Sequence, residues 1–233
     1  MTLYDFIPKR KATRKYEMTP LSKEELSQIR QFADNLQPLY PDILIQYEIV
    51  GGVKSILSVK APHYFIIYGE NKEGYLENAG FMFQQMDLYL SSIGLGSCWL
   101  GMAKSSAEPQ TKLPFIITLA FGKAAGSPYR ELSEFKRKAL SDISSGSDER
   151  LEAARLAPSA VNHQNWFFAS ADGKIDAYQK KAVIGLYDKM NKIDMGIALC
   201  HLFLATEQAG KGFVFAKEAG KEKKGYVYTG TVK

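Results

Sequence analysis

The 233 residues are 45% hydrophobic and 24% charged, a balance that supports a sizeable packed core and excludes a disordered chain. No run of about 18 apolar residues occurs, and Met1 to Arg14 carries no apolar stretch of the signal-peptide kind, so a soluble cytoplasmic protein without a membrane span is expected. The net charge of +5 is spread along the chain rather than gathered on one helix, which argues against a nucleic-acid partner. Cys98 and Cys200 each lie inside an apolar pattern, away from other metal-type ligands, which argues against a disulfide framework or a zinc site.

A first helix is expected from Ser22, whose hydroxyl is placed to cap while Glu25 reaches back, with Leu21 and Leu26 spaced as a hydrophobic staple. Strands follow over Ile43 to Val50 and Tyr64 to Tyr68, separated by Gly51-Gly52 and a short segment compatible with helix. Tyr75 to Ile93 mixes polar and apolar residues at helical spacing and stops at Gly94-Leu95-Gly96. Ser97 to Leu100 and Pro114 to Phe121 are nearly all apolar, as strands covered on both faces are. A charged helix over about Glu131 to Ile143 then leads to Ser144-Ser145-Gly146, the expected boundary between a first half, residues 1–144, and a shorter second half, residues 145–233.

The second half opens with Ser147 as N-cap, Asp148 and Glu149 in the first turn, and a helix stopped by Pro158. Trp166 to Ser170 and Lys174 to Tyr178 flank Asp172-Gly173 and read as a hairpin. A helix over Ile193 to Gln208 and strands near Phe213 and Tyr226 complete the chain. Gly80, Gly94 and Gly96 have counterparts in Gly196, Gly210 and Gly212, each 116 residues further on, and the apolar positions between them keep the same register. An internal duplication is the reading these spacings support.

Two constellations carry candidate chemistry. In Arg10-Lys11-Ala12-Thr13-Arg14, two arginines flanking a short turn can present planar forks to a phosphate, with Lys11 adding charge; a solvated basic segment is the bland alternative. In Ala157-Pro158-Ser159-Ala160-Val161-Asn162-His163-Gln164-Asn165-Trp166, the amides of Asn162 and Gln164 each offer donor and acceptor to the edge of a flat heterocycle, and Ser159 adds a hydroxyl. The same residues equally suit a turn that hydrogen-bonds itself. His63, His163 and His201 are not grouped with other metal-type residues, so no metal site is expected.

The first of these stretches resembles the arginine motif of the nitroreductase family and the second its Ala-Pro-Ser-x-x-Asn-x-Gln-Pro-Trp motif. Gly94-Leu95-Gly96-Ser97-Cys98-Trp99-Leu100-Gly101 is similar to a third stretch of that family, and Arg137-Lys138-Ala139-Leu140 also fits the pattern. Ala12 stands where the family usually has serine, and Asn165 where it has proline. The resemblance implies an α/β (α+β) nitroreductase-like fold, internally duplicated so that one chain imitates the family homodimer. It further implies a pseudo-dimeric monomer with one FMN site, its mirrored counterpart being dead. By that resemblance Arg10, Lys11, Ala12, Arg14 and Arg137 hold the FMN phosphate end. Pro158, Ser159 and Ala160 lie along the ring with Asn162 and Gln164 at its edge, while Leu100 and Gly101 approach it through backbone groups. The implied activity is an oxidoreductase passing electrons from NAD(P)H through FMN to a small electron-poor acceptor such as a nitroaromatic or quinone, with no protein acid or base named. Flavin breakdown or reductive dehalogenation on the same fold, and a degenerate flavin-binding or partner-binding protein without turnover, are the rivals.

Overall fold

A computed structural model describes residues 1–55, 59–182 and 184–233. The first helix, α1 (Lys23–Ala33), is capped as its sequence predicts: Glu25 N donates to Ser22 Oγ at 3.1 Å and Ser22 N to Glu25 Oε2 at 2.7 Å, closing a capping box. There follow β1 (Ile45–Val50), β2 (Val53–Ser55), β3 (His63–Gly69), α2 (Tyr75–Ser92), β4 (Gly96–Leu100), β5 (Ala103–Ser105) and β6 (Phe115–Gly122). Of the segment compatible with helix after Gly52, residues 53–55 form a strand, and 56–58 lie outside the described residues. The main sheet of this half has order β1-β3-β6-β4, antiparallel throughout. β3, the apolar run of His63–Gly69, is buried along its whole length between neighbours.

Around the expected boundary lie α3 (Leu140–Ile143) and β7 (Ser144–Ser145), and the second half contains α4 (Arg150–Arg155), β8 (Trp166–Ala171), β9 (Lys174–Lys180), α5 (Gly185–Gln208), β10 (Phe215–Ala216) and β11 (Tyr226–Val232). Its sheet has order β10-β11-β9-β8-β7. Setting aside β7, the separate β2-β5 pair and the helices that precede each sheet, each half is strand, strand, helix, strand, strand in sequence, and in each the fourth of these strands sits between the second and third. The hairpin turn at Asp172-Gly173 forms as expected, with φ of 51° and 75° at its two central residues, the left-handed pair that matches strand twist.

Three expectations fail locally, each for a visible reason. The charged segment is not one helix from Glu131 to Ile143: a 3-10 turn covers Leu132–Glu134, Phe135 to Ala139 run without helix, and α3 is a single turn. Gln164 Oε1 accepts from Lys138 N at 2.8 Å and Asn162 Nδ2 donates to Lys136 O at 2.6 Å, so the amide turn claims the backbone groups a helix ladder would use. Glu149, not Ser147, is the N-cap position of α4, because Asp148 turns its carboxylate onto Arg150, accepting from its backbone N at 3.0 Å and its guanidinium at 2.7 Å. Finally α5 begins at Gly185 rather than Ile193; its added turns carry Leu186, Tyr187 and Met190 to the wall of a cavity instead of the core, so their pattern did not read as a packed helix face.

The two long helices pack directly on each other, and their contact is made by the paired glycines. A Cβ on Gly80 would lie 2.2 Å from Ile193 O, and one on Gly196 would lie 1.9 Å from Glu77 O. Adding 116 to Gly80 and Glu77 gives Gly196 and Ile193, so the two contacts are the same contact seen from each side. The buried apolar cluster around this crossing draws on both halves, from Phe6 and Phe81 to Leu199 and Val232.

Candidate functional site

The segment carrying the arginines is an extended arm, not a turn. Arg10 pairs with Tyr129, Ala12 lies parallel to Ser97 in β4, Thr13 N donates to Ser97 O at 2.8 Å, and Tyr16 pairs with Ala124. Extended backbone alternates its side chains, so Arg10, Ala12 and Arg14 face one way into a cavity while Lys11 faces solvent. Thr13 drops onto Gly96, where a Cβ would meet its Oγ1 at 2.3 Å; the glycine lets the arm lie flat on the strand.

The cavity, about 480 Å³, lies between this arm, the end of β4 at Leu100 with Gly101 and Met102, the turn Pro158 to Val161, and the first turns of α5. Eight of the residues singled out in the sequence line it together: Arg10, Ala12, Arg14, Leu100, Gly101, Pro158, Ser159 and Ala160. Lys11, Arg137, Asn162 and Gln164 lie outside its lining. The amides of Asn162 and Gln164 are committed to the turn and to residues 136–138: Arg137 Nη1 donates to Asn162 Oδ1 at 2.6 Å and Gln164 Nε2 to Asn162 O at 3.0 Å. Val161, Asn162 and Gln164 adopt φ of 45°, 60° and 49°, left-handed backbone without glycine, so the turn beside the cavity is held in a costly conformation by its hydrogen bonds.

One end of the cavity is strongly cationic. Arg10 is 2% exposed; its Nε lies 2.8 Å from Asp87 Oδ2 and its Nη2 meets no partner among the described residues. Arg130 Nε donates to Arg10 O at 2.9 Å, and its guanidinium lies 3.6 Å from the centre of the Phe135 ring. Arg137 stands over the same ring at 5.4 Å, donates through Nη2 to Leu156 O at 3.2 Å, and its buried Nε meets no partner among the described residues. Burial, with the repulsion of neighbouring arginines, pushes Arg137 down to about 9 and Arg130 to about 10. Arg10 is thus ion-paired with Asp87, while Arg130 and Arg137 form no ion pair among the described residues.

Behind Arg10 runs a buried polar chain. Asp87 accepts from Ser97 Oγ and, at 2.9 Å, from Gln84 Nε2; Gln84 Nε2 also donates to His201 Nε2 at 3.1 Å, and His201 Nδ1 donates to Ala153 O at 2.8 Å. Trp99 Nε1 donates to Gln84 Oε1 at 3.3 Å. With both ring nitrogens engaged, burial drives His201 down to about 3, so it is neutral in the folded protein.

At the other end, Asp194 of α5 reaches the cavity and accepts from Ala160 N with both carboxylate oxygens, each at 3.0 Å; burial pushes it up to about 8. Arg130, Asp87 and Asp194 were not singled out from the sequence, and His201 was weighed there only as a metal ligand. Asp194 left one signal there, an acid inside the otherwise apolar run Ile193 to Ile197. Among the described residues no group of three metal-type side chains converges, and no helix is long and apolar enough to cross a membrane.

A family profile described as "Putative TM nitroreductase" matches residues 2–206. A solved structure described as a putative nitroreductase from Thermotoga maritima is 19% identical, covers 100% of this chain and 93% of its own, and superposes with a TM-score of 0.69. A nitroreductase family protein from Clostridium difficile 630 is 19% identical over 64% of this chain and 99% of its own, with a TM-score of 0.49. An FMN-dependent nitroreductase from Clostridium difficile R20291 is 18% identical over 59% of this chain and 92% of its own, with a TM-score of 0.40. No curated protein matches the chain. With the profile extending over most of its length, the chain belongs to the nitroreductase family.

Proposed function

We propose that the cavity binds FMN and that the protein is an oxidoreductase drawing electrons from NAD(P)H and delivering them to a small electron-poor acceptor such as a nitroaromatic or quinone. The observation that carries the reading is the joining, in one cavity of about 480 Å³, of arginines, one with an orphaned guanidinium nitrogen, to a mostly apolar lining that includes Leu100, Met102, Pro158 and Met190. Arg10 and Arg14 would hold the phosphate, and Arg130 and Arg137 add positive potential from behind. Pro158, Ser159 and Ala160 line the cavity, as do Leu100 and Gly101, whose backbone groups would approach the ring, where a backbone N–H stabilises developing negative charge. The flavin, when bound, supplies the hydride chemistry; the chain binds it, orients it and shields it from water. Asn162 and Gln164 act through the turn they stiffen.

The same reading makes the chain a fused dimer-like monomer with a single flavin site. The reciprocal glycine contact and the shared strand order of the two halves support it. The cavity at the counterpart position is lined by Tyr40, Glu73, Glu77, Lys192 and Lys217 and by no arginine, and the Tyr40 ring crowds Gly74, whose added Cβ would lie 2.6 Å from it. That cavity holds no flavin in this proposal. The test is gel filtration of the purified chain after mixing with FMN, alongside Arg14→Ala. Yellow protein carrying about one flavin per chain, with affinity lost by about tenfold or more in the variant, is expected for one charged phosphate contact. A wild-type chain that emerges colourless refutes the proposal.

A further inference from the structure

The two halves handle one structural task with different chemistry. The spacing that relates Gly80 to Gly196 relates Asn78 on α2 to Asp194 on α5. Each side chain leaves its long helix to hold a turn that follows a proline, Pro38 in one half and Pro158 in the other. Asn78 does it as a neutral amide: Oδ1 accepts from Leu39 N at 2.8 Å and Tyr40 N at 3.0 Å, and Nδ2 donates to Tyr40 O and Ile43 O, each at 3.2 Å. Asp194 spends two oxygens on the single N–H of Ala160. A neutral amide suffices to hold such a turn, so an acid buried in the wall of the cavity brings something beyond holding.

Its surroundings leave its charge uncompensated. Arg10, Arg14 and His163 line the same cavity, and none forms an ion pair with Asp194 among the described residues. On the elements packed against α5, Asp87 is paired with Arg10, Arg150 with Asp148 and Arg155 with Glu152. On β9, Lys174 and Asp176 are paired with Glu218 and Lys221. Glu77 and Lys180 make no ion pair to Asp194 among the described residues, and Asp5 accepts from Thr2 N. A carboxylate there would have one N–H and no cation to answer it, whereas the neutral acid fits.

We propose that Asp194 is the proton-holding acid of this cavity, neutral in neutral solution and, where alkaline solution has ionised it, taking a proton from water as negative charge enters the ring held beside Ala160 and returning it as that charge leaves. This rests on the flavin reading above. A hydride brings two electrons and one proton to the ring, so the ring gains one negative charge as the oxidised nicotinamide departs. Where Asp194 is ionised, that charge draws one proton from water onto the carboxylate; the proton returns to water when the electrons pass to the acceptor. A neutral acid thereby lets the cavity accept charge that a fixed carboxylate would oppose.

The experiment has two readouts. In the flavin-free chain carrying carboxyl-labelled aspartate, the NMR signal absent from Asp194→Asn is expected to titrate near pH 8; titration in the ordinary carboxylate range overturns the proposal. In FMN-loaded protein reduced photochemically at pH 9 in weak buffer, wild type is expected to take up more protons per flavin than Asp194→Asn, by up to one. Equal uptake overturns the proposal while leaving the flavin reading intact. Failure of wild type to retain FMN counts against the flavin reading and removes this role with it, the labelled titration still judging whether the acid is neutral. Asparagine keeps an oxygen for Ala160 N, so an unchanged melting profile at pH 4 shows that the variant folds.

Discussion

Replacing Gly196 by alanine puts a methyl carbon 1.9 Å from Glu77 O, 2.7 Å from Glu77 C and 2.9 Å from Glu77 Cα. The obstacle is the backbone of α2, which cannot swing aside as a side-chain tip can. Relief to ordinary contact needs the two helices to part by roughly 1.3 Å at their crossing, loosening the apolar cluster around Phe81 and Ile197. Overpacking of this kind costs about 1–3 kcal/mol, and a rigid obstacle places it at the upper end. Alanine returns about 1 kcal/mol in helix propensity. The net loss is about 2 kcal/mol, or a fall in Tm of about 4–8 °C for a chain of this size. Thermal unfolding followed by circular dichroism measures it, with Gly212→Ala as control, since nothing lies within 4 Å of a Cβ there. A Gly196→Ala protein as stable as wild type, or more so, would refute the view that the helices meet through these glycines.

Two further outcomes follow from the buried polar chain. Arg10→Ala strands the carboxylate of Asp87, 0% exposed, and is expected to cost about 3–5 kcal/mol in urea unfolding even without flavin, whereas a purely ligand-binding arginine would cost almost nothing. His201 is held near 3 against an ordinary 6.5, so below pH 6.5 the unfolded chain takes a proton that the folded one refuses, and stability falls as pH drops toward 3. Between pH 7 and pH 5 this group accounts for about 2 kcal/mol; the loss over that range is expected to shrink in His201→Gln, and an unchanged loss would show that His201 does not titrate this way.

What could be read from the sequence was local or repeated. Ser22 with Glu25, and Asp172 with Gly173, carry their geometry in adjacent residues, and the paired glycines repeat at one spacing. The arginine arm, the Leu100-Gly101 strand end and the Pro158 turn were found as separate stretches, and the fold brings them to one cavity. The segment from Glu131 to Ile143 was misread because partners about 25 residues away, Asn162 and Gln164, take its backbone groups, a choice no local propensity records. Asp87, Gln84 and His201 were hidden for a related reason. On a helix buried on all sides a polar residue breaks no pattern until its partner on another helix is known.

The crossing of α2 on α5 lies within one covalent chain. Dilution therefore cannot separate its two sides, and on the proposed monomeric reading unfolding should show a midpoint independent of protein concentration. A substitution at this seam is also felt once, not twice as across a symmetric pair of subunits. On the proposed duplication, each side is free to drift by itself, and Asn78 and Asp194 would be one such difference.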